Sequence, residues 1–125
     1  MPQKIIGIVG PCASGKSTLI SNLAVQGITA RHIAQEHSYV KDMWQRLTHP
    51  DVLIYLDVSF SQSMQRRRMN WQEKDFEEQV KRLEHARRHA DYYVDTDQLT
   101  PQEVSDQVHE FLQDKLTLTN SPESN

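Results

Sequence analysis

The stretch KIIGIVGPCASGKST, residues 4–18, decides the fold. Its first part, Lys4 to Val9, is short, rich in β-branched residues and nearly all apolar, which is the pattern of a strand buried on both faces of a parallel sheet. The character changes at Gly10. From Lys16 the apolar residues Leu19, Ile20, Leu23 and Ala24 return at helical spacing, and Gly27 supplies a left-handed stop. A strand, a glycine-bearing turn and a helix in that order open an α/β unit, with the turn at the carboxyl end of the strand.

Outward from this unit, strands and helices keep alternating. ITARHIA, residues 28–34, reads as a second strand, and SYVKDMWQRL, residues 38–47, as a short helix. DVLIYLDV, residues 51–58, is the clearest strand, since five apolar residues run from Val52 to Leu56. SMQRRR, residues 63–68, predicts a short helix starting near Ser61, and NWQE, residues 70–73, has the spacing of a capping box opening a longer one marked by Phe76, Val80, Leu83 and Ala90. DYYVD, residues 91–95, is a last strand. TPQE, residues 100–103, predicts a second capping box ahead of a helix that buries Val104, Val108 and Leu112. The pattern implies an α/β domain of three layers, with a short, mostly parallel sheet of about four strands flanked by helices. One domain is expected over 1–115, because 125 residues of which 37% are hydrophobic bury one core and scarcely two. Residues 116–125 lack periodicity and read as a disordered tail.

Composition narrows the function classes. A formal net charge of −3 argues against wholesale nucleic-acid binding, despite the local cluster Arg66 to Arg68. Cys12 is the single cysteine, which excludes an internal disulfide and a paired-cysteine zinc pattern and fits a reducing compartment. No stretch approaches the roughly 20 apolar residues that cross a bilayer, and IIGIVG is too short for a secretory signal, so a cytoplasmic protein without a membrane partner is expected.

Gly10 to Ser17 satisfies G-x-x-x-x-G-K-S, the phosphate-binding loop or Walker A motif. Gly10 and Gly15 permit backbone angles and close approach that let successive N–H groups point at phosphate oxygens. Lys16 carries positive charge to the β and γ phosphates, the helix N-terminus adds its partial charge, and Ser17 offers a hydroxyl to magnesium. The expected nucleotide-binding set is therefore Gly10, Pro11, Cys12, Ala13, Ser14, Gly15, Lys16, Ser17 and Thr18, with ATP favoured over GTP because no N-K-x-D-like segment is present. Cys12, near a helix N-terminus, reads either as a reactive thiol or as a small side chain turned away from phosphate.

With GPCASGKST, LIYLDVSFSQSMQRR and ADYYVDTDQLTPQEV in order, most of residues 4–115 resembles the P-loop kinases of nucleosides, nucleotides and other small metabolites, the adenylate kinase-like group. The resemblance implies Mg-ATP as cofactor and an arginine after the third strand that reaches the bound ATP, which maps to Arg66. It also implies a mobile lid, about residues 64–90, with further phosphate-facing arginines. Arg82 is favoured among Arg67, Arg68, Arg82, Arg87 and Arg88, and the last two also read as cations complementing a helix C-terminus. Backbone of Asp97 to Thr100 maps onto the segment that touches adenine.

The departures from that pattern concern the acceptor. Little more than Glu36 to Pro50 stands where the family places an additional strand and a helical acceptor-binding segment. Glu36 and Asp57 are the substitutes for a missing catalytic or magnesium-orienting aspartate. Glu36 serves as base or nucleophile-positioning group, or as a salt-bridge partner; Asp57 holds magnesium through water, or caps the following helix. Tyr39, Met43 and Trp44 either wall a small pocket or bury a helix face, and His85 and His89 combine metal-compatible spacing with a charged, solvated stretch. The expected function is transfer of the γ-phosphoryl group of ATP to a small acceptor. A nucleotide-dependent binding module, with a protein partner or a second copy of itself, and a slow ATP hydrolase stand as alternatives.

Overall fold

A computed structural model describes residues 4–67 and 72–120. Strand β1, Ile6–Val9, is buried at every position, as its unbroken apolar run requires. It pairs in parallel with β2, Ala30–His32, on one side and with β3, Val52–Asp57, on the other; β4, Tyr92–Asp95, adds in parallel to β3. The order β2-β1-β3-β4 makes one four-stranded, all-parallel sheet. Successive connections leave β1 toward opposite edges, and the chain reverses direction across the sheet there, which opens a crevice beyond the carboxyl ends of β1 and β3.

Helices cover both faces. On one, α1 (Lys16–Val25) and α5 (Pro101–Asn120) set Leu19, Leu23, Val104, Val108 and Leu112 against Ile8, Ile54 and Leu56. On the other, α2 (Met43–Thr48) and α4 (Glu73–His89) bring Trp44, Leu83 and Ala86 onto Val9, Leu53 and Tyr55. The alternation along β3, with Ile54 and Leu56 to one layer and Leu53 and Tyr55 to the other, is what makes the domain three-layered. Helix α3, Phe60–Arg67, follows β3 and ends beside the glycine loop.

Local signals hold at several ends. Gly27, at φ 82°, closes α1: its N–H donates to Ala24 and that of Ile28 to Leu23, the paired bonds of a Schellman motif. Thr100 and Glu103 form the expected reciprocal box at the start of α5, at 2.8 and 3.1 Å.

Other expectations are corrected. The box that opens α4 is built from Gln72, whose N–H donates to the Asp75 carboxylate; the expected cap, Asn70, lies outside the described residues. The buried stripe of α4 is Gln79, Leu83 and Ala86; Val80 faces outward and Ala90 lies past the helix end, because the stripe starts one position earlier. Leu83 and Ala86 are fully buried, so α4 packs on the sheet through these two residues. Helix α2 starts only at Met43, and α5 continues to Asn120 through residues expected to be disordered. Among the described residues, no helix is long and apolar enough to cross a membrane.

Candidate functional site

The turn after β1 is held open by backbone that only small residues allow. A Cβ on Gly10 meets the carbonyl oxygen of Leu56 at 2.2 Å, so β3 packs directly against the loop. Gly15, at φ 100°, is the N-cap of α1 and has open space where a side chain would stand. Ser17 and Thr18 are exposed in the first turn of α1.

Lys16, the first residue of α1, is buried and turned back into the loop. Its Nζ donates to the carbonyl oxygens of Gly10 at 2.6 Å and Pro11 at 3.1 Å, and pairs with Glu36 Oε2 at 2.9 Å. Glu36 comes from a short 3-10 helix, Gln35–His37, that follows β2, and it is 2% exposed. Placing β2 beside β1 thus delivers Glu36 to the loop. Its second oxygen, Oε1, has no hydrogen-bond partner, and neither has the buried hydroxyl of Ser14. An orphaned buried acceptor or hydroxyl costs about 1–3 kcal/mol, which makes this pair of atoms a mark of an incomplete polar shell. The charge of Lys16 also reaches His32: partial desolvation first, and Lys16 next, hold its imidazole below the ordinary histidine range, with Glu36 pulling the other way.

The other side of the loop faces a cavity of about 470 Å³ lined by Gly15, Thr18, Arg66, Thr96, Leu99 and Val104, among others. Arg66 spans its wall. The guanidinium donates to the carbonyl oxygens of Ala13 at 2.9 Å and Thr96 at 2.8 Å, and to the Thr96 hydroxyl at 3.1 Å. Leu99 brings in the segment after β4, so this cavity joins the loop, Arg66 and part of Asp97 to Thr100, three features the sequence had singled out separately. It includes neither Glu36 nor Tyr39.

Arg82 lies on the Glu36 side. It donates to the Glu36 carbonyl oxygen at 3.2 Å, pairs with Glu78 at 3.5 Å, and stacks on the Tyr39 ring at 4.3 Å. Its place is therefore behind the 3-10 helix. Arg87 stacks on Tyr93, and Arg88 pairs with Glu84 at the surface; Arg68 and the side chain of Arg67 lie outside the described residues.

Asp57 is turned elsewhere. Its carboxylate accepts from the Val58 N–H at 2.9 Å and from the Tyr93 hydroxyl, and no contact runs to Ser17. It does not cap α3; Ser59 does, accepting from the Gln62 N–H at 3.2 Å. Burial, and next the bond to Asp57, push the Tyr93 hydroxyl above the ordinary tyrosine range. Trp44 is buried, with its Nε1 donating to His85 Nδ1 at 3.1 Å, while His89 stacks on His85; both histidine rings lie against the core tryptophan.

Cys12 is flanked by a residue the sequence reading missed. Gln79, from the buried stripe of α4, accepts from the Cys12 N–H at 2.9 Å and donates to its sulfur at 3.1 Å. Thr96 and Gln35 were missed too: the first donates to the Asp57 carbonyl oxygen at 2.8 Å, and the second ties Val40, Arg82 and Trp44 together. The available signal for Gln79 was its position, a polar residue at an apolar point of a helical stripe. No family model matches the chain, and a search of curated proteins finds no match.

Proposed function

We propose that this chain binds ATP through Gly10 to Thr18 and transfers its γ-phosphoryl group to a small acceptor, in the manner of the P-loop small-molecule kinases it resembles. The observation that carries the reading is the position of Lys16. A buried ammonium at a helix N-terminus, answered by two carbonyl oxygens and one carboxylate, stands where a phosphate chain would enter. The ligand also fits the surroundings: the Ser14 hydroxyl lacks a partner, Gly15 leaves open space, and the adjoining cavity of about 470 Å³ has room for a base and ribose beside Arg66. Magnesium is assigned to Ser17, exposed in the first helical turn; Asp57, committed to Val58 and Tyr93, fits that role less well.

Bound Mg-ATP supplies the transferable phosphoryl group and much of its charge neutralisation. The chain's own part is an exchange of partners. Lys16 turns from Glu36 to the β and γ phosphates, and Glu36 is left free to accept the acceptor's hydroxyl proton. Arg66 holds the Ala13 and Thr96 carbonyl oxygens and so fixes the spacing between the loop and the base cavity.

A second reading is favoured by one observation. Tyr39 is 85% and Leu47 77% exposed on the reduced segment after Glu36, as in a nucleotide-dependent module that docks a protein partner or a second copy of itself. Single-turnover transfer from γ-labelled Mg-ATP, with and without a pooled metabolite extract, decides between them alongside calorimetry of ATP binding. Label on a small molecule, lost in Glu36→Gln while ATP binding persists, is the expected result. Binding without transfer or phosphate release favours the docking module, phosphate release alone a hydrolase, and no ATP binding overturns all three.

A further inference from the structure

Beside Lys16, Glu36 also stands in a group with Cys12 and His37, two side chains that phosphoryl transfer does not use. Cys12 Sγ is 3.9 Å from His37 Nε2, and His37 Nε2 is 3.8 Å from Glu36 Oε2; the three ligand atoms lie within 4.8 Å of one another. In a tetrahedral zinc site, metal bonds of about 2.0–2.3 Å set ligand atoms roughly 3.4–3.6 Å apart. Closing the set therefore takes shifts of at most about 1.4 Å. The His37 ring, 61% exposed, supplies its share by rotation.

We propose that Cys12, Glu36 and His37 form a zinc-binding site at the mouth of the glycine loop. Three features besides proximity support it. The Glu36 carboxylate is buried, yet Oε1 has no partner, so the group keeps acceptor capacity for a metal besides the bond from Lys16 to Oε2. A sulfur, an imidazole and a carboxylate match zinc, whereas magnesium and calcium select oxygen ligands alone. The third is Gln79, whose amide donates to the Cys12 sulfur at 3.1 Å and whose carbonyl holds the Cys12 N–H, an outer support that orients the thiolate. On binding, the Cys12 thiol releases its proton to solvent and the sulfur donates a lone pair to the metal; no electron changes hands. Water completes the fourth position. Two ligands come from one short 3-10 helix and the third from the turn after β1, so the pairing of β1 with β2 fixes the site before metal arrives.

Where the proposed phosphoryl transfer holds, zinc here withdraws Glu36 from proton acceptance; that consequence rests on the proposed function, and zinc binding itself does not. The test is accordingly made on tag-free protein without nucleotide. Competition with a chromophoric zinc chelator gives the affinity, and cobalt substitution gives the ligand signature, a near-ultraviolet thiolate charge-transfer band. One zinc per chain is expected. Cys12→Ser abolishes the cobalt band, and both Cys12→Ser and His37→Ala weaken zinc by at least about tenfold. The double substitution H85A/H89A leaves affinity unchanged. Because His37 is at the surface, its variant reports on the site even where Cys12→Ser disturbs the loop. Zinc affinity indifferent to His37→Ala, a cobalt spectrum without the thiolate band, or loss of binding in H85A/H89A overturns the proposal.

Discussion

Replacing Lys16 probes the proposed phosphate-binding loop and removes a structural part as well. Nζ and Glu36 Oε2 are 2.9 Å apart with side chains 6% and 3% exposed. Their attraction at an effective dielectric constant of about 20 is roughly 6 kcal/mol, largely offset by the several kcal/mol lost in desolvating each ion. The pair is thus worth little as a whole, but removing one member strands the other. Lys16→Met leaves Glu36 buried and uncompensated and is expected to destabilise by about 3–5 kcal/mol. At about 2.1 cal/mol/K of unfolding entropy per residue, 3 kcal/mol lowers Tm by about 11 °C. Glu36→Gln is milder, about 1–3 kcal/mol, because Lys16 keeps the Gly10 and Pro11 carbonyl oxygens. The double variant removes both charges together, so it loses less than the two single losses combined, by at least about 1.5 kcal/mol. Urea unfolding of the four proteins, followed by far-ultraviolet dichroism, measures this coupling. Arg46→Ala is the control: its pair with Asp42, at 3.0 Å, is as short but half open to water, and its loss changes stability by less than about 1 kcal/mol. Coupling within about 0.5 kcal/mol of zero refutes the argument that Lys16 and Glu36 stabilise the ligand-free loop as a unit.

The two glycines of the loop separate packing from backbone freedom. Gly10→Ala sets a Cβ at 2.2 Å from backbone that cannot turn aside, and unfolding is expected about 2–3 kcal/mol sooner than in the parent; Gly15→Ala meets open space and loses only the preference for φ 100°, about 1 kcal/mol. The opposite order in denaturant would show that the approach of β3 to the loop is wrong. His32 supplies a pH test, read from its imidazole protons by NMR. Its folded pKa lies below the unfolded value, so the stability it contributes is present above pH of about 6.5 and is lost as pH falls through the folded pKa. Lys16→Met is expected to raise that pKa only in part, since desolvation is the larger cause; an unchanged titration removes Lys16 from the explanation.

The order of elements was readable because it is written in local patterns. An unbroken apolar run gives β1, a threonine and glutamate three positions apart give the start of α5, and a glycine past the apolar stripe gives the end of α1. Where a second signal competed, the reading slipped. NWQE carries the capping-box spacing, yet the box seen at α4 pairs Gln72 with Asp75, a glutamine cap that N-cap preferences do not point to. Val80 was taken for a core position because it is apolar, yet the stripe it would join includes a glutamine. LTLTN, residues 116–120, has no helical periodicity of its own in sequence and continues α5, which a window restricted to those residues does not see.

The candidate site divides along the same line. Gly10, Gly15, Lys16 and Ser17 are legible as a motif because one short turn carries them all. What shapes the turn is not local. Gln79 reaches Cys12 across 67 positions, Arg66 reaches Ala13 across 53, and Glu36 reaches Lys16 across 20. Each is a polar side chain whose partner is set by sheet order, since β2 and β3 flank β1 and bring their following segments to opposite sides of the same loop. The Glu36 contact follows once that order is given; Gln79 requires a different inference. A helix that buries Leu83 and Ala86 against the sheet must also bury the residue one turn earlier, and a buried amide requires a donor and an acceptor opposite it. The Cys12 N–H and sulfur meet that requirement, which is why the residue that breaks the apolar stripe of α4 is also the one that orients the loop.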